Sequence, residues 1–157
     1  MGKEHLKLEL SKAVETYKKG DGKIKALLID LYGKEYFLLD VKDRVIDYES
    51  ACKETSFKPL TIEDFEMLPE EDRNRYYARH QLTVGIRALV GDYKPDWDNS
   101  SEYKYYNYMY KEDGGFVSGV RSYAYLSYLG SDFYFPNREI AEHAYKTFKK
   151  QYITYLF

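Results

Sequence analysis

The residues of this chain that could carry out chemistry are few and lie far apart in the sequence. They are one cysteine, Cys52, and three histidines, His5, His80 and His143. A zinc site needs pairs of Cys or His at ligand spacing, and a single Cys cannot supply them. The sequence also lacks the GxSxG pattern of a serine nucleophile and the glycine–lysine pattern of a phosphate loop. We therefore expect no catalytic centre, no metal and no cofactor, and hence a non-enzymatic function.

Carboxylates are abundant but are not marked as an acid–base pair. Residues 27–72 contain thirteen acidic and five basic residues, a net charge of −8, whereas the whole chain has a net charge of −2. Acid–base catalysis needs a carboxylate with a shifted pKa in a pocket, and no pattern here indicates one. An acidic segment of this kind is either a solvated face or a docking surface for a basic partner. The candidate partner-binding carboxylates are Glu63, Glu66, Glu70, Glu71, Asp96 and Asp98.

Aromatic residues concentrate in the stretch Tyr93–Phe135, which contains the only Trp and 10 of the 19 tyrosines. Between positions 103 and 110 they nearly alternate, as on a strand, apart from one extra residue at 105/106. Such a run is either a packed small sheet or a recognition surface. Lysines also lie among these aromatic residues, and stacked aromatic rings with nearby cations are typical of single-stranded nucleic-acid binding. The candidate tyrosines are Tyr103, Tyr105, Tyr106 and Tyr108.

The first ninety residues read as helices. Apolar residues at spacings of three and four predict a helix over 4–19 and a second one from Ile24, although 24–41 is also compatible with a hairpin around Gly33. Asp47 and Thr61 predict helix starts, and Pro69 with the three following acids predicts a helix that runs to about residue 90. That helix contains Gly85, which a close contact with another element would explain.

The remaining residues predict a sheet and one more helix. Tyr103–Tyr110, Phe116–Arg121, Tyr123–Leu129 and Phe133–Phe135 are candidate strands, and Asn137 caps a terminal helix over 138–156. The predicted fold class is therefore α+β. It has about four or five N-terminal helices, a small antiparallel sheet of three or four strands and a C-terminal helix. We expect a single domain over 1–157, with a helical part (1–91) and a tyrosine-rich sheet with its helix (92–157).

The location of the protein follows from what the sequence does not contain. A single cysteine excludes an intrachain disulfide and fits a reducing compartment. No apolar run approaches the roughly 18 residues that a membrane span requires, and the N-terminus lacks the features of a signal peptide. We therefore expect a cytoplasmic protein that does not bind a membrane.

Six short segments, in this order, resemble those of a family of small, mostly uncharacterised proteins of phages and of integrated or conjugative elements. That family shows an RVxTxEDAC helix start, then ALxxxWxPDW, KYYPYF and FxxxExA. This chain departs from the pattern at Asp47, at Tyr93 and after Tyr106. The segments that carry the resemblance are Arg44–Cys52, Leu82–Leu89, Lys94–Asn99, Lys104–Tyr106, Phe133–Phe135 and Ile140–Glu142.

The resemblance implies a setting, a bacterial host cell, and no specific activity. Small phage proteins without catalytic motifs often bind and inhibit host defence nucleases, as anti-CRISPR proteins do. By this analogy we expect a host protein or ribonucleoprotein as the partner, bound through the acidic segment and the tyrosine-rich sheet. The alternative is an accessory protein that binds single-stranded nucleic acid through the Tyr103–Tyr110 strand.

Overall fold

The computed structural model describes residues 10–113, 115–124 and 133–157. The chain is a mixed α+β protein, which confirms the predicted fold class at that level. Helices come first, an antiparallel hairpin follows, and two helices close the chain. The elements are α1 Leu10–Lys19, α2 Gly22–Tyr32, α3 Lys34–Leu38, α4 Val41–Arg44, α5 Tyr48–Thr55, a 3₁₀ helix Ile62–Phe65, α6 Glu70–Val90, β1 Lys104–Glu112, β2 Gly115–Tyr123, α7 Arg138–Thr147 and α8 Lys149–Leu156.

The segment 24–41 is helical, so the alternative hairpin is wrong. Asp21 caps α2 by accepting hydrogen bonds from the amides of Lys23 and Ile24, each at 3.0 Å. The residues after Gly33 are helical as well and form α3, Lys34–Leu38. The reason is tertiary: the ring of Phe37 stacks on Tyr17 of α1 with centroids 4.4 Å apart. The predicted residues 4–9 of the first helix lie outside the described residues.

Helix α5 begins where the sequence predicts. The side chain of Asp47 accepts a hydrogen bond from the amide of Ser50 at 2.7 Å, and the Ser50 hydroxyl accepts one from the Asp47 amide at 3.0 Å. These reciprocal bonds satisfy two donors at the helix start. Cys52 is buried on the inner side of this helix, with 1% of its surface exposed.

A buried ion pair joins α5 to the end of α4. Arg44 donates from Nη2 to Glu54 Oε1 at 2.9 Å and from Nε to Oε2 at 3.2 Å, and both side chains are less than a tenth exposed. The hydroxyl of Tyr36 donates to the same carboxylate. Arg44 also donates to the carbonyl of Leu39 at 2.6 Å. One charge in the acidic segment is therefore neutralised inside the protein and is not part of its surface.

Gly85 does make the close contact that the sequence predicts. A Cβ on this residue would lie 2.6 Å from Cε2 of Phe148 and closer still to Cζ. Phe148 lies between α7 and α8, with φ −111° and ψ 23°, so the prediction of one continuous terminal helix is wrong. The break allows the Phe148 ring to lie against α6, where it joins the buried core with Leu82 and Phe135.

The sheet has two strands in the part of the chain that the structure describes, and the predicted three or four strands are not confirmed. Lys104 pairs with Tyr123 at one end of the hairpin, and Glu112 pairs with Gly115 at the other. The predicted strand Phe133–Phe135 contributes one isolated bridge, between Phe135 and Tyr105. Most of the predicted strand after Tyr123 lies outside the described residues.

Candidate functional site

The register of the hairpin determines which tyrosines face the helices. Asn107 donates from Nδ2 to the carbonyl of Ala141 in α7 at 3.0 Å and to the hydroxyl of Tyr152 in α8 at 3.1 Å. Because side chains alternate along a strand, Tyr105 and Met109 share this inner face, and both pack against the core. The even-numbered residues of β1 therefore lie on the opposite face, directed away from the terminal helices.

The opposite face is a continuous set of stacked rings and one cation. We call it the aromatic face and define it as Tyr106, Tyr108 and Tyr110 of β1 with Arg121 and Tyr123 of β2. The rings of Tyr106 and Tyr123 stack at 5.7 Å with an interplanar angle of 15°, and those of Tyr108 and Tyr110 stack at 6.2 Å and 13°. The Arg121 guanidinium carbon lies 4.4 Å from the Tyr108 ring centroid.

A glycine in β2 makes room for the central ring of this face. Gly119 pairs with Tyr108, and a Cβ at this position would lie 2.7 Å from the Tyr108 hydroxyl oxygen. The Tyr108 side chain can therefore lie across β2 only because residue 119 has no side chain. This contact contributes to the partial burial of Tyr108.

The loop 93–102 is fastened to one end of the aromatic face by a buried lysine. Lys104 is fully buried, donates to the carbonyl of Asn99 at 2.8 Å, and lies 3.8 Å from the Glu102 carboxylate. Its ammonium group also lies 5.7 Å from the Trp97 ring centroid. Trp97 in turn packs edge-to-face on Tyr134 at 4.9 Å. Lys104 therefore holds the loop and is not available to contact a phosphate.

Glu102 organises the same loop from within. It accepts a hydrogen bond from the Tyr93 hydroxyl at 2.7 Å and one from the Asp96 amide at 3.2 Å. Burial, with the adjacent Glu102 carboxylate, raises the pKa of the Tyr93 hydroxyl, which therefore stays protonated as the donor. Asp96 accepts from the amide of Asp98 at 3.0 Å, and both aspartates are exposed. The two predicted site carboxylates thus lie on the surface of a well-ordered loop.

The four predicted site tyrosines do not form one surface. Tyr103 is 59% exposed and precedes the strand, whereas Tyr105 is half-buried on the helix side. Tyr106 is only 9% exposed, although it belongs to the aromatic face, because its neighbours cover it. Tyr110, Arg121 and Tyr123 were missing from the predicted site. Alternation of side chains along the strand from Tyr106 could have indicated Tyr110. The two adjacent tyrosines at 105 and 106 left open which alternate set faces outward.

The predicted acidic residues Glu63, Glu66, Glu70 and Glu71 lie on one continuous stretch between the 3₁₀ helix and the first turn of α6. All four are exposed, and the apolar side chain of Met67 among them is 80% exposed. We call these five residues the acidic surface. Of the residues that the structure describes, none forms an ion pair with these four carboxylates.

The nearest arginine of α6 does not neutralise this surface because it serves the backbone. Arg73 donates from Nε to the carbonyl of Leu68 at 3.0 Å and from Nη2 to the carbonyl of Glu66 at 3.1 Å. It thereby fixes the turn that presents Met67. The acidic surface thus combines carboxylates that lack ion-pair partners among the described residues with an exposed apolar side chain, an arrangement that suits a basic, partly apolar partner surface.

The groups with possible chemistry act as packing residues. Burial raises the pKa of the Cys52 thiol and lowers the pKa of the His80 imidazole, so both favour their neutral forms. The His80 ring packs edge-to-face on Tyr48 at 6.1 Å. His143 bonds through Nε2 to the carbonyl of Val45 at 2.8 Å. Across residues 10–113, 115–124 and 133–157, no group of three His, Cys, Asp or Glu side chains could hold a metal ion.

Comparison with protein-family models, with curated proteins and with solved structures gives no match for this chain. The resemblance to small proteins of phages and mobile elements therefore stays a prediction. None of the helices that the structure describes is long and apolar enough to cross a membrane.

Proposed function

We propose that this protein is a non-catalytic phage or mobile-element protein that binds and inhibits a host nucleic-acid-handling defence protein. The acidic surface carries this proposal, because its four exposed carboxylates lack ion-pair partners among the described residues and lie close in sequence to the exposed Met67. A surface of this charge is complementary to the basic channel in which such an enzyme holds its nucleic acid. A protein bound there would exclude the nucleic acid by occupying its site.

The aromatic face and the loop 93–102 extend the set of candidate contacts. Tyrosine and arginine are favoured anchors in protein interfaces. Tyrosine buries a large area at a low cost in side-chain entropy, and arginine donates several hydrogen bonds from one planar group. Tyr103, Tyr110, Arg121, Asp96 and Asp98 are among the exposed residues of this region. The inhibitor proposal therefore requires the acidic surface to contact the partner, and this second region would add contacts.

The acidic surface is tested with the double variant Glu66→Gln/Glu70→Gln. Protein immobilised through a terminal tag is used to capture partners from bacterial lysate, and the captured proteins are identified by mass spectrometry. We expect the unmodified protein to capture a nucleic-acid-handling enzyme. The association rate of that enzyme with the double variant should be lower by about tenfold at low salt, because removing surface charges mainly slows association. The matched control is Asp30→Asn/Asp43→Asn, which removes the same charge from exposed positions elsewhere.

Two results would contradict this proposal. The first is a lysate series that yields no nucleic-acid-handling protein from any bacterial host tested. The second is a captured enzyme that binds both double variants at the same rate, which would place the contact elsewhere. One equivalent of this protein should abolish the binding of nucleic acid by a captured enzyme.

Arg121 favours a second function, the binding of single-stranded nucleic acid. Its guanidinium stacks on Tyr108 and is exposed, so it offers both a cation and a stacking surface to a base. Two observations rank this function second. Lys104, a basic residue of β1, is fully buried, and Tyr106 is only 9% exposed.

A salt titration with a fluorescent oligonucleotide distinguishes the two functions. If the aromatic face binds single strands, Arg121→Gln should weaken binding by about tenfold. The salt dependence of the binding constant should then correspond to the release of about one counterion fewer. Arg138→Gln, at an exposed position in α7, is the matched control. No binding of the unmodified protein at low salt would remove this function.

A further inference from the structure

Helix α2 leaves most of its regularly spaced apolar side chains in contact with water. Its apolar residues at spacings of three and four are Ile24, Leu27, Leu28 and Leu31, and of these only Leu28 is buried. Ile24, Leu27 and Leu31 are 41%, 60% and 62% exposed. We call these three residues the exposed stripe. Single exposed apolar residues are common on protein surfaces, but a continuous row of them marks a contact site.

The side of α2 away from the exposed stripe packs on the neighbouring helices. Leu28 is buried, and Tyr32, one turn further along, packs edge-to-face on Phe37 of α3 at 6.1 Å. The ammonium group of Lys25 lies 5.7 Å from the ring centroid of Tyr17 in α1. The fold therefore uses one side of α2 for its own packing, and the exposed stripe lies on the side that remains.

The spacing of the exposed stripe is that of a helix that pairs with another helix. Ile24 and Leu31 are seven residues apart and Leu27 lies between them, so the three occupy successive a, d and a positions of a heptad. Side chains at these positions form one narrow apolar row along the helix. The row is suited to a second helix that presents a similar row.

The charges beside the exposed stripe indicate how the second helix is oriented. Lys23 and Asp30 flank the stripe at equivalent heptad positions, and both are exposed. Neither forms an ion pair within the described part of the chain. In an antiparallel pair of identical helices centred near Leu27, Lys23 of one copy lies beside Asp30 of the other. A parallel pair would instead bring like charges to the same level, which is unfavourable.

We propose that two copies of this protein associate through α2, with the two helices antiparallel around a two-fold axis near Leu27. A two-fold dimer requires a patch that is complementary to itself, and the apolar row with one cation and one anion at opposite ends meets this requirement. Helix α2 has eleven residues. It is therefore about 16 Å long, and its contact is smaller than the standard interface of about 1,600 Å². The dimer is therefore weak, with a dissociation constant on the order of 100 μM. This inference does not depend on the proposed inhibitor function.

Sedimentation equilibrium of the whole protein, over concentrations from about 10 μM to about 1 mM, tests this dimer. We expect a reversible monomer–dimer equilibrium. Leu27→Glu should weaken association by at least about tenfold, because it removes apolar contact and places two carboxylates near the axis. Leu31→Gln should weaken it without adding charge. The matched control is Met67→Glu, which adds the same charge at an exposed apolar residue of the acidic surface and should leave association unchanged.

A charge exchange tests the antiparallel orientation. Lys23→Glu should weaken association by about fivefold, because each of the two symmetric ion pairs becomes a repulsive contact. The double variant Lys23→Glu/Asp30→Lys restores both pairs with their signs reversed, so its association should return to that of the unmodified protein. Circular dichroism of each variant establishes that the helices are intact.

Three results would overturn the proposal. The first is a protein that stays monomeric at the highest concentration. The second is association of the same strength in Leu27→Glu, Leu31→Gln and the unmodified protein, which would place the contact elsewhere. The third is a double charge variant that associates as weakly as Lys23→Glu, which would exclude the antiparallel pairing.

Discussion

Replacing Gly85 with alanine lowers the free energy of unfolding by about 2 kcal/mol, although alanine favours a helix over glycine by about 1 kcal/mol. The expected loss comes from the ring of Phe148, because the new methyl group would lie 2.6 Å from its Cε2 atom. Phe148 is buried, with 1% of its surface exposed, and is surrounded by the core. The ring can therefore make room only by moving other side chains or by separating α6 from α8.

Urea unfolding of the purified variants measures this change. The control is Gly22→Ala in α2, where an added Cβ meets no atom within 4 Å and the same substitution should be neutral or stabilising by up to about 1 kcal/mol. Phe148→Leu in the Gly85→Ala background should recover part of the loss, since the smaller side chain leaves space for the methyl group. Equal stability of Gly85→Ala and the unmodified protein would show that the core adapts to this contact.

The variant Glu54→Ala should be less stable than the unmodified protein by about 3–5 kcal/mol. The substitution leaves Arg44 buried without its partner, and the hydroxyl of Tyr36 also loses its acceptor. A charge in a poorly solvated environment that has lost its counter-charge keeps the full cost of desolvation.

Thermal and urea unfolding of two further variants separates this effect from the loss of any surface charge. Glu142→Gln removes an exposed carboxylate that lies 3.6 Å from Arg138, and we expect a loss below about 1 kcal/mol. In the double variant Arg44→Met/Glu54→Leu both charges are absent, so it should be more stable than Glu54→Ala. A Glu54→Ala protein as stable as Glu142→Gln would mean that Arg44 finds water or another acceptor.

The stability variants and the binding variants address different parts of the molecule. Gly85, Phe148 and Glu54 are buried and the side chain of Arg44 is 8% exposed, whereas Glu66, Glu70 and Arg121 are exposed. Substitutions at the exposed positions are therefore expected to change binding while leaving the fold intact. A loss of binding in these variants can be attributed to the removed side chain.

The parts of the fold that could be predicted from the sequence depend on contacts between near neighbours. The start of α5 at Asp47 depends on Ser50, three residues away, and the start of α2 depends on Asp21 in the same way. Gly85 could be recognised as a contact site because a glycine inside a helix costs stability unless something requires it. The partner of that contact, Phe148, is 63 positions away, and no local pattern indicates it.

In the aromatic stretch, local sequence patterns do not determine which side chains are buried. Its composition and near-alternation predicted a tyrosine-rich antiparallel sheet of three or four strands, but two adjacent tyrosines, Tyr105 and Tyr106, left open which set faces the helices. The bonds from Asn107 to α7 and α8 decide it, because they place the odd-numbered residues of β1 inside. Burial of Lys104 likewise depends on the loop 93–102, which folds over it. Side-chain type and spacing along the chain thus specify the helices and the strands, since those interactions are local. Which tyrosines, lysines and arginines reach the surface depends on how distant elements pack, since burial is a property of the whole assembled core.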